Sequence, residues 1–424
     1  MTALLTLAAR SAWNRRYVLA LVTASVALAT LLLVGIERLR ADVRAGFSQA
    51  VSGTDLIVGA RSSPTQLLLY AVFRIGNASA NIRYSSAQAI AAHRAVAWAV
   101  PVALGDSHRG YPVLATTPGY FEHFRYGDKR LLQLTQGRPL DARRDAMFDV
   151  VLGAEVARRL GYGLGQRIVL SHGDGLLAGN DHDQLPFVVS GILAPTGTPV
   201  DRTLHIGLSA MEALHVDWVA GTRLPGSALS AEQALQQDFT PKSVTALLLG
   251  LKTRTAVFAV QRAVQGFEAE PLMGVLPGVA LDELWQAIGA AERALLLTSA
   301  LVALVSLAGL VATIAAGLNE RRRELAILRA VGVGPVRMLL LLALEATLVA
   351  ATGVALGLAG CQLLVALAAD PVQAHWGLTL RSGWPGSREW LWCAAVLAGG
   401  ALAGLIPGWR AYRMALADGL SPRL

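Results

Sequence analysis

The sequence predicts a membrane protein: four transmembrane α-helices, with an α+β extracytoplasmic domain inserted between the first and second. Three observations carry that prediction. The chain of 424 residues is 54% hydrophobic, its mean hydropathy is +0.48, and the apolar residues are gathered into runs. Between the first two runs lies a long stretch, 37–293, with 24 basic and 23 acidic residues. The excess positive charge sits elsewhere, in short segments beside the runs.

Residues 17–36, 294–318 and 391–409 contain no charged side chain, and 338–369 contain one, Glu345. A helix of about 20 apolar residues crosses a hydrocarbon core, so each run is long enough. Arg15 and Arg16 precede the first run, as in a signal peptide. Its apolar part is longer than a typical h-region, however, and GIERLRADV offers no small-x-small cleavage pattern, so it reads as a retained anchor. Cys361 and Cys393 both fall inside apolar runs and build no disulfide framework. An intramembrane carboxylate is expensive and usually faces inward. Glu345 lies close enough to the third run's cytoplasmic end to snorkel or pair with an arginine.

Segments 1–16, 319–337 and 410–424 hold 11 Arg against three acidic residues. Cytoplasmic flanks of membrane spans carry such an excess. The amino terminus, 319–337 and the carboxyl terminus are therefore expected inside, with 37–293 and 370–390 outside. The basic balance is accounted for by topology, and no nucleic-acid partner is implied.

The inserted stretch is too long for a loop. YPVLATT, DVVLGAE, QRIVLSH and LPFVVSGIL have strand composition. SSAQAIAAHRAV, GAEVARRLG, SAMEALHVDW and AVFAVQRAVQGFEAE have helical periodicity. Glycine and proline near 173–197 and 221–227 mark loops. Two subdomains are expected. QLLLYAVF, residues 66–73, is too short to span and reads as a core element; if exposed it would meet a lipid or a lipidated partner. Leu39, Val43, Phe47 and Val51 recur every four residues, and Leu281, Leu284, Trp285 and Ile288 follow helical spacing. These stripes predict a stalk of two helices at the domain's ends, 37–52 and 279–293. Within the third and fourth runs, Gly353/Gly357 and Gly400/Gly404 have the small-residue spacing that lets helices approach closely.

In NERRRELAILRAVGVGPVR, residues 319–337, Leu325, Leu328 and Val331 or Gly332 fall on one helical face, with Arg321, Arg322 and Arg329 around it. Gly334 and Pro335 then stop the helix. Such a short amphipathic helix rests on lipid headgroups or docks in a protein groove.

The run ERRRELAILRAVGVGPVRMLLLLALEATLVAATGVALG and the ending PGWRAYRMALADGLSPRL resemble the C-terminal module of FtsX-like permeases. DVVLGAEVARRLGYGLGQRIVL followed by PFVVSGIL resembles the MacB-type external domain. The resemblance implies a non-catalytic permease subunit of an ABC transport complex in the bacterial inner membrane, working as a dimer with a separate ATPase. On that resemblance, 319–333 is the coupling helix, with Arg321, Arg322, Leu325, Leu328 and Arg329 at the docking face. Motion would pass through the spans and stalk to the external domain, where a periplasmic partner or lipoprotein would be handled. ATP and Mg²⁺ would sit on the partner: the three lysines, Lys129, Lys242 and Lys252, lie in no phosphate-loop motif. The alternatives are a signalling permease that activates a periplasmic enzyme, a metal-linked transport component, and, from another class, an embedded enzyme or sensor. Neither G-x-S-x-G nor H-E-x-x-H occurs.

SHGDGLLAGNDHDQ brings His172, Asp174, His182 and Asp183 together as types that ligate zinc through imidazole nitrogen and carboxylate oxygen. His205 and His215 follow. The bland reading of that segment is a solvated loop.

Reporter fusions or cysteine labelling should find residues 40–290 and 372–388 outside, and 1–14, 319–335 and 412–424 inside. Labelling of residue 150 from the cytoplasm would overturn the orientation.

Overall fold

The computed structural model describes residues 16–413, apart from 51, 79, 174–181, 217, 220–221, 224–229, 321–332 and 377–379. Two units emerge. One is formed by the described residues up to Asp42, from Ile288 to Gln373 and from Leu380 onward; the other is essentially Val43–Ala287.

In the first unit, four helices, Arg16–Ala50, Pro277–Glu320, Pro335–Trp376 and Ser387–Arg413, carry the four apolar runs. Each is long and apolar enough to cross a membrane. All extend beyond the runs. At 1.5 Å per residue the 44-residue second helix is about 66 Å long, roughly twice a hydrocarbon core. Leu310, Ile314, Leu342 and Ala346 fill one end of the bundle, and Val26, Leu33, Val354, Cys361 and Cys393 the other. A Cβ built on Gly353 would lie 2.7 Å from Val26 Cγ1, and one on Gly357 would lie 2.6 Å from the Ala27 carbonyl oxygen. One on Gly404 would lie 2.6 Å from Ala346 Cβ, and Gly400 is pressed against Ala350. The third helix thus meets the first and fourth at the distance only a missing side chain permits.

Polar groups collect where the helices leave the apolar zone. Arg38, 7% exposed, donates from Nε and Nη2 to both oxygens of Glu389, 8% exposed, at 3.2 and 3.0 Å. A second hydrogen bond from Nη2 reaches the Gly383 carbonyl at 3.0 Å. Arg40 pairs with Glu292 at 2.9 Å and Glu37 at 3.5 Å. Two buried charges are tolerated here because the contact is bidentate and Nη2 gains a second acceptor in the Gly383 carbonyl.

The second unit is built on one eleven-stranded sheet. Its strands are β1 (Leu56–Ala60), β2 (Val96–His108), β3 (Tyr111–Thr116), β4 (Leu134–Gly137), β5 (Asp149–Leu152), β6 (Arg167–Ile168), β7 (Ser171–His172), β8 (Phe187–Leu193), β9 (Leu204–Gly207), β10 (Ala246–Leu251) and β11 (Leu272–Val275). Their order is β11-β1-β10-β2-β3-β9-β5-β8-β4, with β7 on β2 and β6 on β8. The β3/β9 and β5/β8 pairs are parallel and the others antiparallel. Two subdomains are expected from the sequence, yet hydrogen bonds join the strands from both halves into one continuous sheet. The long strand β2, which has no clean alternation, pairs with both β10 and β3 and makes that join.

Both faces of the sheet are buried, which is why its strands read as nearly continuous apolar runs. Leu56, Val58, Val113, Val150, Leu152, Leu204 and Leu247 point to one face, where the helices Tyr84–Ala91, Leu208–Leu214 and Val257–Gln265 pack. Ile57, Val100, Val102, Leu114, Val151 and Leu248 point to the other. There the helix Pro64–Ala71, from QLLLYAVF, buries Leu67, Leu68 and Ala71, a core element as its composition predicts. Phe47 stacks on Phe73 at 4.2 Å and meets Trp285 edge-on at 5.5 Å, so the two stripes that bound the domain come together here. Leu39 and Ile288 remain exposed, and Val51 lies outside the described residues.

Gly357→Leu should lower stability in detergent by about 1–3 kcal/mol, because the new side chain must displace the first helix's backbone. Gly309→Ala, which meets nothing within 4 Å, should leave the thermal midpoint unchanged or raise it slightly.

Candidate metal centre

Strand β2 starts apolar and ends in Gly-Asp-Ser-His. Against β3 its register runs Leu104↔Leu114 and then Ser107↔Pro112, so one extra residue is accommodated between them. A bulge of this kind bends a strand and re-aims its side chains. Strand β7 pairs with the end of β2, with His172 directly opposite Asp106. The backbone N–H of His182 donates to the Leu170 carbonyl at 2.8 Å, which returns the chain to the same place after the 174–181 segment. His215 closes the C-terminus of the helix Leu208–Leu214.

Four side chains therefore meet: Asp106, His172, His182 and His215, each offering one ligand atom, all within 4.8 Å of one another. His172 Nδ1 and His215 Nε2 each lie 3.2 Å from Asp106 Oδ1 and 2.9 Å from each other. His182 Nε2 is 3.8 Å from Asp106 Oδ2, too far for a hydrogen bond. The Asp106 and His182 side chains are buried, while those of His172 and His215 are 33% and 27% exposed. The second ring nitrogen of His215 lies 2.8 Å from the Met211 carbonyl. A carbonyl only accepts, so Nδ1 carries a hydrogen; Nε2 donates to Asp106 when the ring is protonated and offers a lone pair when it is neutral.

Burial would raise the Asp106 carboxyl. Hydrogen bonds from His172 and His215 and the nearby imidazoles override this and hold it at about 2. Burial likewise opposes charge on His215, but its hydrogen bond to Asp106 and the carboxylate's charge raise it above the usual histidine range. The cluster is thus a carboxylate ionised under all ordinary conditions, ringed by imidazoles. Beside it opens a cleft of about 510 Å³ lined in part by Tyr70, Arg74, Asn77, Asp106 and Ser107.

Residues 18–266 match the family described as MacB-like periplasmic core domain, and residues 296–419 match FtsX-like permease C-terminal. The chain belongs to the FtsX/MacB-type permeases. It is accordingly a multi-pass permease of the ABC-transporter class in the bacterial inner membrane, and the sheet domain is extracytoplasmic. Among solved structures, the periplasmic region of MacB from Actinobacillus actinomycetemcomitans is 13% identical over 57% of this chain and 94% of its own, with a TM-score of 0.32. The extracellular domain of the noncanonic ABC-type transporter YknZ from Gram-positive bacteria is 12% identical over 53% and 98%, with a TM-score of 0.31. Comparison with curated proteins gives no match.

Of the permease residues expected at a metal site, His172 and His182 stand in the cluster. Asp183 does not belong to it, and Asp174 lies outside the described residues, as do Arg321, Arg322, Leu325, Leu328 and Arg329. Asp106 escapes sequence reasoning because it is distant in the chain and sits at the end of an apolar strand. The polar GDSH that closes that strand is the signal that marks it.

His205 has a different role. It is fully buried on β9, bonded through Nδ1 to the Val151 carbonyl at 3.2 Å and packed against Tyr120 and Phe121. Burial, then the charge of Arg74, push it down to about 3. The unfolded chain takes up this proton below about pH 6.5 and the fold does not, so stability falls as pH drops from there toward 3. At pH 5 the loss is about 2 kcal/mol. Denaturant titrations at pH 7 and pH 5 should show His205→Phe losing less stability than wild type by that amount.

Proposed function

We propose that this chain is the membrane subunit of a complex in which a separate ATPase docks on residues 319–333 and drives motion of the extracytoplasmic domain. The observation that carries the reading is the arrangement itself. An FtsX-like C-terminal region, 296–419, follows a MacB-like region, 18–266, that takes in the first spanning helix. No lysine of these residues lies in a phosphate loop, which supports a partner as the binder of ATP.

Helices are the physical means of transmission. The helices Arg16–Ala50 and Pro277–Glu320 each run without a break from an apolar span into the stretch that borders the sheet domain. A continuous helix carries displacement because each backbone hydrogen bond is made within the helix. Two copies of the permease would flank an ATPase pair, and the domain would act on a substrate or partner already outside the inner membrane.

An amphipathic helix in a protein groove is anchored by a few apolar side chains, with rim charges setting orientation. Leu325→Asp with Leu328→Asp places two carboxylates in that groove, each costing on the order of several kcal/mol when unpaired. The double variant should lose copurification of the ATPase and vanadate-sensitive hydrolysis, yet keep its fold. Arg321→Ala with Arg322→Ala should weaken docking less and make it more salt-sensitive. If the double-Asp variant retains both its partner and full coupled hydrolysis, the segment is a lipid-surface element instead.

A further inference from the structure

We propose that Asp106, His172, His182 and His215 hold one zinc ion in the extracytoplasmic domain, loaded onto the folded protein from the neighbouring cleft.

Three features of the cluster point to a cation. Its donor atoms converge: a tetrahedral zinc site with bonds near 2.0–2.1 Å sets its ligand atoms about 3.3–3.4 Å apart. Here Asp106 Oδ1, His172 Nδ1 and His215 Nε2 lie 2.9–3.2 Å apart, His182 Nε2 lies 3.8 Å from Asp106 Oδ2, and the four ligand atoms all fall within 4.8 Å. Next, one buried oxygen of the cluster lacks a hydrogen-bond partner. Asp106 Oδ2 is buried without a hydrogen bond. A buried carboxylate oxygen without a hydrogen bond is costly, and a cation at the centre would serve it together with the imidazole nitrogens. Finally, the ligands are oriented from behind. The Met211 carbonyl fixes the His215 ring, and the β2/β7 register sets His172 opposite Asp106. Such outer contacts are how proteins aim metal ligands.

The donor chemistry selects the metal. Three imidazoles and one carboxylate, with no thiolate, suit zinc and its divalent neighbours rather than magnesium or calcium, which take oxygen shells. Four ligands at near-tetrahedral spacing favour zinc over copper, which prefers a square arrangement.

The fold also sets how the ion arrives. The donors come from β2, β7, the chain returning at His182 and a helix end. All are held by a sheet with two apolar faces of its own, so the site is formed before the ion binds. His172 and His215 are partly exposed, and Asp106 borders the cleft. Both give the ion a path between solvent and the ligand atoms.

The test uses the full-length chain in detergent, stripped with a chelator that is then removed. Zinc is titrated against a chromophoric competitor, and cobalt(II) is added to a second sample for visible spectroscopy. The expected result is one zinc per chain, an intense four-coordinate cobalt spectrum, and a thermal midpoint that rises with zinc concentration as mass action requires. The stripped protein should keep its helical and strand content. His172→Ala with His215→Ala, both partly exposed and so the gentler changes, should weaken zinc binding by more than the roughly 10–100-fold that loss of an orienting group alone costs. Asp106→Asn should weaken it while keeping the side chain's shape, and His123→Ala, far from the cluster in sequence and stacked on Trp98, should not. Equal zinc affinity in wild type and the double variant, a six-coordinate cobalt spectrum, or preference for magnesium would each overturn the assignment. The measurement needs no ATPase, so it succeeds or fails independently of the coupling reading.

Discussion

The constraint on which this protein rests is that a backbone inside hydrocarbon must satisfy its own hydrogen bonds. Four apolar runs meet it as helices, and apart from Glu345 charge is expelled to where those helices leave the apolar zone. Arg38 and Glu389 stand at such a boundary, buried together with the Nε and Nη2 donors and both carboxylate oxygens engaged. With no solvent-driven hydrophobic force between helices in lipid, close approach has to come from shape. Gly353, Gly357, Gly400 and Gly404 provide it, because any side chain there would collide with a neighbouring helix.

Outside that zone a different economy holds. Eleven strands bury two apolar faces, and the polar residues of the long strand β2 are pushed to its end. The irregularity near Asp106 is where the sheet stops being a packing device and becomes a site. The extra residue turns the carboxylate, the paired strand β7 brings in His172, and a helix terminus supplies His215. His205, close in sequence to His215, lies on β9 in the apolar packing and stays neutral. Two histidines ten residues apart thus have opposite chemistry, set by whether a carboxylate or an aromatic ring faces them.

Legibility followed the range of the interaction. The membrane helices, the strand at 111–116, the strand at 149–152 and the helices at 154–160 and 257–265 are written in local periodicity, and the structure has them. The singleness of the sheet is not, because it depends on β2 pairing with β10 across more than a hundred residues. At the candidate metal centre, His172 and His182 were visible as a local cluster of ligand types. Asp183 has the same local signal yet stands apart, while Asp106 has no local signal and stands at the centre.

The sequence by itself determined the number of spans, the inserted domain, the distribution of positive charge and the family, since each depends on composition or on patterns within one element. Tertiary structure decided which polar residues share a site. A side chain's direction at the end of a strand is set by register and by a single inserted residue, and its partners by chain segments 66, 76 and 109 positions away. Those are consequences of how the sheet closes, and no spacing along the chain encodes them.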